Sequence, residues 1–281
     1  RSGVGDRRGL GRRLGRRRLG EDRHRRPRAD AAGGHPHPAR GDAGVDQLVA
    51  HQVGALDRDL VAVALAGCGH VGGSLLDLFA ERGATAQSVR VQRILVRDAS
   101  RARPALAQAI ARGIAPANAR TTDPTQLLDD HVDVLVEAIG GTTTARTLVE
   151  TALRRGIRVV TANKALLAEH GPHLQELARA HGTRLDFEGA VAGAIPVVRC
   201  VRSGAAGVGI TRLSGILNGT SNFVLDRVAE GRSLADAIAT AQQLGYAEAD
   251  PSRDLSGEDA EDKLRVLSWL IFGVGGRVVL L

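Results

Sequence analysis

A chain of 281 residues with 43% apolar side chains can form one large domain or two smaller ones, and no apolar run approaches the roughly 20 residues of a membrane helix. The net charge of +7 belongs to one end: residues 1–57 carry 13 Arg against 7 Asp and Glu, so the remainder is near neutral and gives no basis for a nucleic-acid-binding body. Aromatic content of 2% argues against base stacking, while Cys68 and Cys200, at no metal or redox spacing, point to a reduced, cytoplasmic setting.

The first 57 residues have no hydrophobic periodicity and cannot offset the entropy of ordering, so disorder is expected there. The same Arg/Gly/Ala/Pro mixture fits an RNA-binding arm, or G+C-rich DNA read outside its natural frame; no apolar segment marks a secretory leader. Order is expected from "DLVAVALAGCGHVGGSLLDLFAERG", a short buried strand ending at glycines and followed by an amphipathic helix. "VQRILVRD", "HVDVLVEAIGG" and "IRVVTA" read as further strands, separated by helical stretches that include "TTARTLVETALRRG". This alternation predicts an α/β fold, a Rossmann-type doubly wound parallel sheet over residues 58–163. From residue 164 the pattern changes to a helix near 170–182, strands "TRLDFEG" and "VGITRLSGILNG", and several helices, which predicts a second α+β domain over 164–281.

The turn Gly67-Cys68-Gly69-His70-Val71-Gly72 sits where a dinucleotide fingerprint must sit, after a strand and at the start of a helix. Gly67 permits the tight turn, Gly69 lets backbone approach a pyrophosphate, and Gly72 allows close helix–strand packing, while His70 reads as exposed filler. The end of the second strand offers both Arg97, suited to a 2′-phosphate, and Asp98, suited to a ribose 2′-OH; the balance favours NADP over NAD.

Of 38 basic side chains only two are lysines, Lys164 and Lys263. Lysine can release and regain a proton when buried and guanidinium effectively cannot, so two surviving lysines are candidates for acid–base chemistry. Lys164 follows a strand at the carboxyl edge of the sheet, and Lys263 lies in "GYAEADPSRDLSGEDAEDK" among seven carboxylates. Ser256 and Asp259 read as the N-cap and N3 of a capping box, with Asp259 and Lys263 at i, i+4 on one helical face. Glu248, Asp250 and Asp254 upstream suit either a metal or the ammonium group of a substrate.

"VEAIGG…VVTANKALLAEHG", "FEGAVAGAIPVVR", "GILNGTSNFVL" and "GYAEADPSRDLSGEDAEDK", in this order from about Asp59 to Gly273, resemble homoserine dehydrogenase. The resemblance implies an NAD(P)-dependent oxidoreductase that reduces aspartate 4-semialdehyde to homoserine on the route to threonine, methionine and isoleucine. It implies a substrate and dimerisation domain behind the Rossmann domain, and hence a homodimer. Carried onto matching positions, it makes Lys263 the proton donor to the substrate oxygen and Asp259 the residue that holds it. Glu248 would bind the substrate amino group, with Asp254, Gly219, Thr220 and Lys164 around the substrate. Gly67, Gly69, Val71, Gly72, Arg97, Gly140 and Lys164 would border the cofactor, and Glu188, Val191, Gly193 and Ile195 would hold a sodium-type cation through main-chain carbonyls. Family members continue past the position of Gly273, so the substrate domain is expected to be incomplete here. The competing readings are another Rossmann amino-acid dehydrogenase, a fragment that only binds nucleotide, or an RNA-binding protein built on the Arg-rich segment.

Overall fold

The computed structural model describes residues 60–81, 88–193, 195–204 and 209–273, which fall within one compact unit. The Arg-rich segment 1–57 and the final residues 274–281 lie outside the described residues, and the readings made of them rest on sequence alone.

Six strands pair in parallel in the order β3-β2-β1-β4-β5-β6. They are β1 (Val61–Ala66), β2 (Val89–Leu95), β3 (Arg120–Thr121), β4 (Val134–Glu137), β5 (Arg158–Thr161) and β6 (Leu185–Asp186). This is the expected doubly wound arrangement, with the chain reversing direction across the sheet between β1 and β4. β1 is buried at every position because helices cover both faces. Val61, Val63 and Leu65 point to one side, with Leu75, Leu76 and Phe79 of α1 (His70–Glu81) and Leu106 of α2 (Pro104–Ala111). Ala64 and Ala66 point to the other, with Leu148 of α3 (Thr143–Arg154) and Leu167 of α4 (Lys164–Ala180). The period-2 alternation of a strand thus divides one apolar run between two cores.

Three sequence expectations change. The helix expected near 170–182 is α4 and begins at Lys164, because the Asn163 side chain accepts the Leu166 N–H at 3.1 Å and caps it. "TRLDFEG" contributes only the two residues of β6, and these extend the first sheet beyond β5, so α4 and β6 belong to the Rossmann layer. The Arg158 Nε–Asp186 Oδ2 ion pair at 2.7 Å, almost fully buried, joins these last two strands. Over the described part of "VGITRLSGILNG" there is no strand: residues 209–218 have no regular structure, and Ile216 is 76% exposed. Its β-branched and apolar residues favour extended backbone, but strand formation needs a neighbouring ladder, and none of the six described strands pairs with it.

Beyond the sheet come α5 (Gly219–Ala229), α6 (Leu234–Gln243), a short helix α7 (Ser252–Leu255) and α8 (Glu258–Phe272). α5 and α6 share a small core of Val224, Ala237 and Ala241, whereas α8 packs on α4 and joins the main core through Val266 and Leu267. Trp269 of α8 rests on Gly171 of α4 and lies 5.4 Å, centroid to centroid, from Phe187. A Cβ on Gly171 would lie 2.7 Å from the indole carbons, closer than van der Waals contact permits. No helix among the described residues is long and apolar enough to cross a membrane.

Gly171→Ala should therefore lower the free energy of unfolding by about 1–3 kcal/mol through overpacking. Urea unfolding reads this directly, and an unchanged midpoint would mean that the indole swings aside freely.

Candidate active site

The carboxyl ends of β1, β2 and β4 open onto a cleft of about 1060 Å³, bordered by Gly67, Gly69, Arg97, Gly140 and Gly141. The glycine turn is built as its spacing requires. Gly67 has φ +101°, and a Cβ there would lie 2.6 Å from the Ala138 carbonyl oxygen; one on Gly72 would lie 2.0 Å from the Gly67 oxygen. Gly69 faces open space, nothing lying within 4 Å of where its Cβ would be, and α1 starts at the next residue, His70, which borders the same cleft. His70 is exposed, and Val71, partly buried, packs against the first core.

At the end of β2, Asp98 Oδ1 accepts the Ser100 N–H at 2.8 Å and the Ser100 hydroxyl at 2.6 Å, and these bonds hold its carboxyl below the usual range. Arg97 and Arg101 also border this part of the cleft. On the far side, β4 ends in Glu137, which is fully buried with no cationic partner among the described residues. It accepts the Thr161 hydroxyl at 2.6 Å, the Ile139 N–H at 3.0 Å and the Asn163 amide at 3.4 Å. Burial pushes its carboxyl up, against the pull of those bonds. The Asn163 amide also donates to the Gly141 carbonyl at 2.7 Å, so one side chain ties the glycine turn after β4 to the start of α4.

The first residue of α4 is Lys164. Its Nζ lies 2.6 Å from Asp259 Oδ1, while Lys263 Nζ lies 2.6 Å from Asp259 Oδ2. The chain's two lysines, 99 positions apart in sequence, thus share one carboxylate. Lys263 also donates to the Leu217 carbonyl at 2.9 Å. Asp259 Oδ2 accepts the Asn218 amide at 2.8 Å, and Asn218 reaches Asp254 Oδ1 at 2.8 Å as well. Burial alone would raise the Asp259 carboxyl, but hydrogen bonds from Lys164, Lys263 and Asn218 outweigh it and lower the carboxyl to about 2.

Placement of the remaining expected residues is mixed. Gly219 and Thr220 open α5, and the buried Thr220 hydroxyl donates to the Tyr246 carbonyl at 2.6 Å, anchoring the following acidic loop. Glu248 stays outside the network: it is exposed, and its carboxylate has no partner among the described residues. Asp250 turns back on Ser252, and no three His, Cys, Asp or Glu side chains among the described residues are grouped to hold a metal, so the acidic stretch is not a side-chain metal site. The Glu188 carboxylate accepts the N–H groups of Val198 and Arg199, each at 2.9 Å. Val191 is buried, Gly193 and Ile195 are exposed, and Ala192 between them has φ +50°. The capping box is displaced by one residue: α8 is capped by Gly257 at φ +84°, Ser256 ends α7, and Asp259 is the second residue of the helix. Its carboxylate turns toward the lysines because two ammonium groups attract it more strongly than a backbone N–H.

Asn218, Glu137 and Asn163 are absent from the sequence-derived set. Asn218 carries a readable signal, an Asn-Gly-Thr-Ser cap before an apolar helix, and Glu137 stands out as an acid ending an apolar strand.

A family profile described as "Homoserine dehydrogenase, NAD binding domain" matches residues 67–188, and one described as "Homoserine dehydrogenase" matches 196–278. A Corynebacterium glutamicum homoserine dehydrogenase is 42% identical over 219 residues, covering 75% of this chain and 47% of that one. A solved Archaeoglobus fulgidus chain, put forward as a homoserine dehydrogenase, is 30% identical at a TM-score of 0.62, over 77% of this chain and 70% of that one. This chain belongs to the homoserine dehydrogenase family. A hyperthermophilic archaeal homoserine dehydrogenase, solved in complex with NADPH, is 28% identical at a TM-score of 0.64, over 76% of this chain and 70% of that one. The chain spans less than half the length of the curated relative from C. glutamicum. The family assignment agrees with the parallel sheet, and the homoserine dehydrogenase profile at 196–278 takes in Asn218, Asp259 and Lys263.

The Asp259 network fixes a pH dependence. A carboxyl depressed from 3.8 to about 2 on folding stabilises the native state above pH 4, and that contribution is lost as pH falls from 4 toward 2. It is worth about 2 kcal/mol. Asp259→Asn should remove this part of the acid sensitivity, measured as unfolding free energy at pH 5 and pH 2.5. An equal acid loss in both proteins would assign it to other carboxylates.

Proposed function

We propose that the chain binds NADPH in the cleft and catalyses the reversible reduction of L-aspartate 4-semialdehyde to L-homoserine, the Asp259–Lys263 pair acting at the substrate oxygen. The observation that carries this reading is the convergence of both lysines on Asp259 at the carboxyl edge of the sheet. When bound, the dinucleotide supplies the hydride. The residues around the cleft fit that group: the glycine turn clears a path for a pyrophosphate, and the start of α1 offers N–H donors. Arg97 and Arg101 supply positive charge for a 2′-phosphate, and Asp98, occupied with Ser100, offers a weaker hold on a ribose hydroxyl, which favours NADPH over NADH.

Reduction of an aldehyde builds negative charge on its oxygen. Lys263, held by Asp259 and Leu217, has one of its three N–H bonds left to donate there and then to deliver the proton. Lys164 places a second positive charge at the same carboxylate, next to the turn at Gly140–Gly141. Asp254, Gly219 and Thr220 border the substrate, and the unpartnered carboxylate of Glu248 is the group for its ammonium. A monovalent cation belongs at the loop from Glu188 to Ile195: among the described residues no N–H donates to the carbonyls of Val191 or Gly193, and oxygen donors suit a hard cation. Residues from Lys164 onward carry the substrate chemistry even where they complete the sheet. A homodimer in the cytoplasm is the proposed assembly, and exposed Leu225 and Leu234 on the outer helices support the self-association.

The test is NADP-dependent oxidation of homoserine by the purified chain, beside a version extended to the length of its relatives. Activity in neither overturns the reading. Lys263→Ala should lower kcat by at least about 10²-fold while leaving NADPH affinity within error, the magnitude of a lost general acid. Glu248→Ala should raise the homoserine KM about tenfold or more with kcat little changed, the loss of one charge-assisted bond. An unchanged KM would remove Glu248 from the substrate site.

A further inference from the structure

Among the described residues the Lys263 ammonium has two acceptors, Asp259 Oδ2 and the Leu217 carbonyl, and both are anchored through one residue. Asn218 is buried, and its amide makes two 2.8 Å bonds, to Asp259 Oδ2 and Asp254 Oδ1. That uses both hydrogens of the amide nitrogen. Its Oδ1 accepts the Ser221 N–H at 2.7 Å and caps α5. The Leu217 carbonyl belongs to the same peptide unit as the Asn218 N–H, so a side chain bonded on three sides also holds that oxygen in place. Capping alone does not require asparagine, since aspartate caps a helix equally well. Only an amide, however, caps and also donates to two carboxylates; an aspartate here would be a third negative oxygen set against Asp254 and Asp259.

We propose that Asn218 is a positioning residue for the reaction: it holds both acceptors of the Lys263 ammonium and so directs the remaining N–H toward the substrate oxygen. This rests on the reading of Lys263 as the proton donor. Asp259 is shared with Lys164 through the opposite oxygen, so without Asn218 the carboxylate is free to rotate toward Lys164 and release Lys263.

Asn218→Asp separates the two roles, because it keeps the cap and loses the donor. At pH 8 its kcat should fall about 10- to 100-fold, the effect of one hydrogen bond to a charged group, with the NADPH KM unchanged. As pH is lowered the introduced carboxyl takes up a proton and becomes a donor again, so the deficit relative to wild type should shrink. Asn218→Ser keeps a capping oxygen without an amide and should show the deficit with no recovery; it also serves if a third carboxylate prevents folding. A second readout needs no turnover. The chain has two lysines, so ¹⁵N-lysine labelling gives two side-chain ammonium signals to follow. Hydrogen exchange at Lys263 should quicken about tenfold in Asn218→Ser, consistent with one lost restraint, and exchange at Lys164 should change less. Wild-type kcat in Asn218→Asp at pH 8, or unaltered Lys263 exchange in Asn218→Ser, overturns the proposal. If exchange responds while neither this chain nor its extended version oxidises homoserine, the positioning of the ammonium stands and the assigned reaction falls.

Discussion

One carboxylate between two ammonium groups organises the candidate site. Asp259 stands in the first turn of α8, where an acid complements the helix dipole, but Lys164 stands at the first position of α4, where a cation opposes it. Lys164 is held there by Asp259, and Asp259 in turn is held by charges and an amide from three different segments. Together they bind the end of β5, the entry to α5 and the start of α8 into one arrangement. The geometry therefore depends on whatever keeps α4 and α8 side by side, and that is apolar packing: Trp269 on Gly171, with Val266 and Leu267 in the main core.

Much of the nucleotide-binding half is legible in the chain itself. Its signals are local: an apolar run, glycines at fixed spacing, an amphipathic helix, and repetition of that unit. Gly67 and Gly72 behave as the fingerprint demands because the constraint, a backbone oxygen where a Cβ would be, acts within a few residues. The lysines were legible for another reason, scarcity, which composition reveals without any structure. The i, i+4 pairing of Asp259 and Lys263 likewise needs only the helical repeat.

What could not be read is non-local. Residues 209–218 have strand-forming residues but no ladder, and no property of the segment itself reports a missing neighbour. β6 joins the first sheet through pairing with β5, which the change of pattern after residue 164 conceals. The cap of α8 moved from Ser256 to Gly257 because Ser256 ends α7 and the left-handed Gly257 next to it begins α8, and Asp259 had stronger partners elsewhere. Asn218 was visible as a helix cap in "ILNGTS", yet its bonds to Asp254 and Asp259 cross 36 and 41 positions. Glu137, buried with no cation beside it among the described residues, is intelligible only once the hydroxyl of Thr161 and the amide of Asn163 are seen around it.

Asn163 has a consequence of its own. By capping α4 while gripping the Gly141 carbonyl, it sets the rotational phase of the helix relative to the sheet. An α-helix advances about 100° per residue, so inserting one residue between Asn163 and Lys164 would carry the ammonium about a quarter-turn around the helix axis. The sheet would still close and the cleft would still form, but the lysine would point away from Asp259. The connection between β5 and α4 is therefore a place where length is fixed more tightly than composition, and the buried Asn163 leaves it none of the slack of a surface loop.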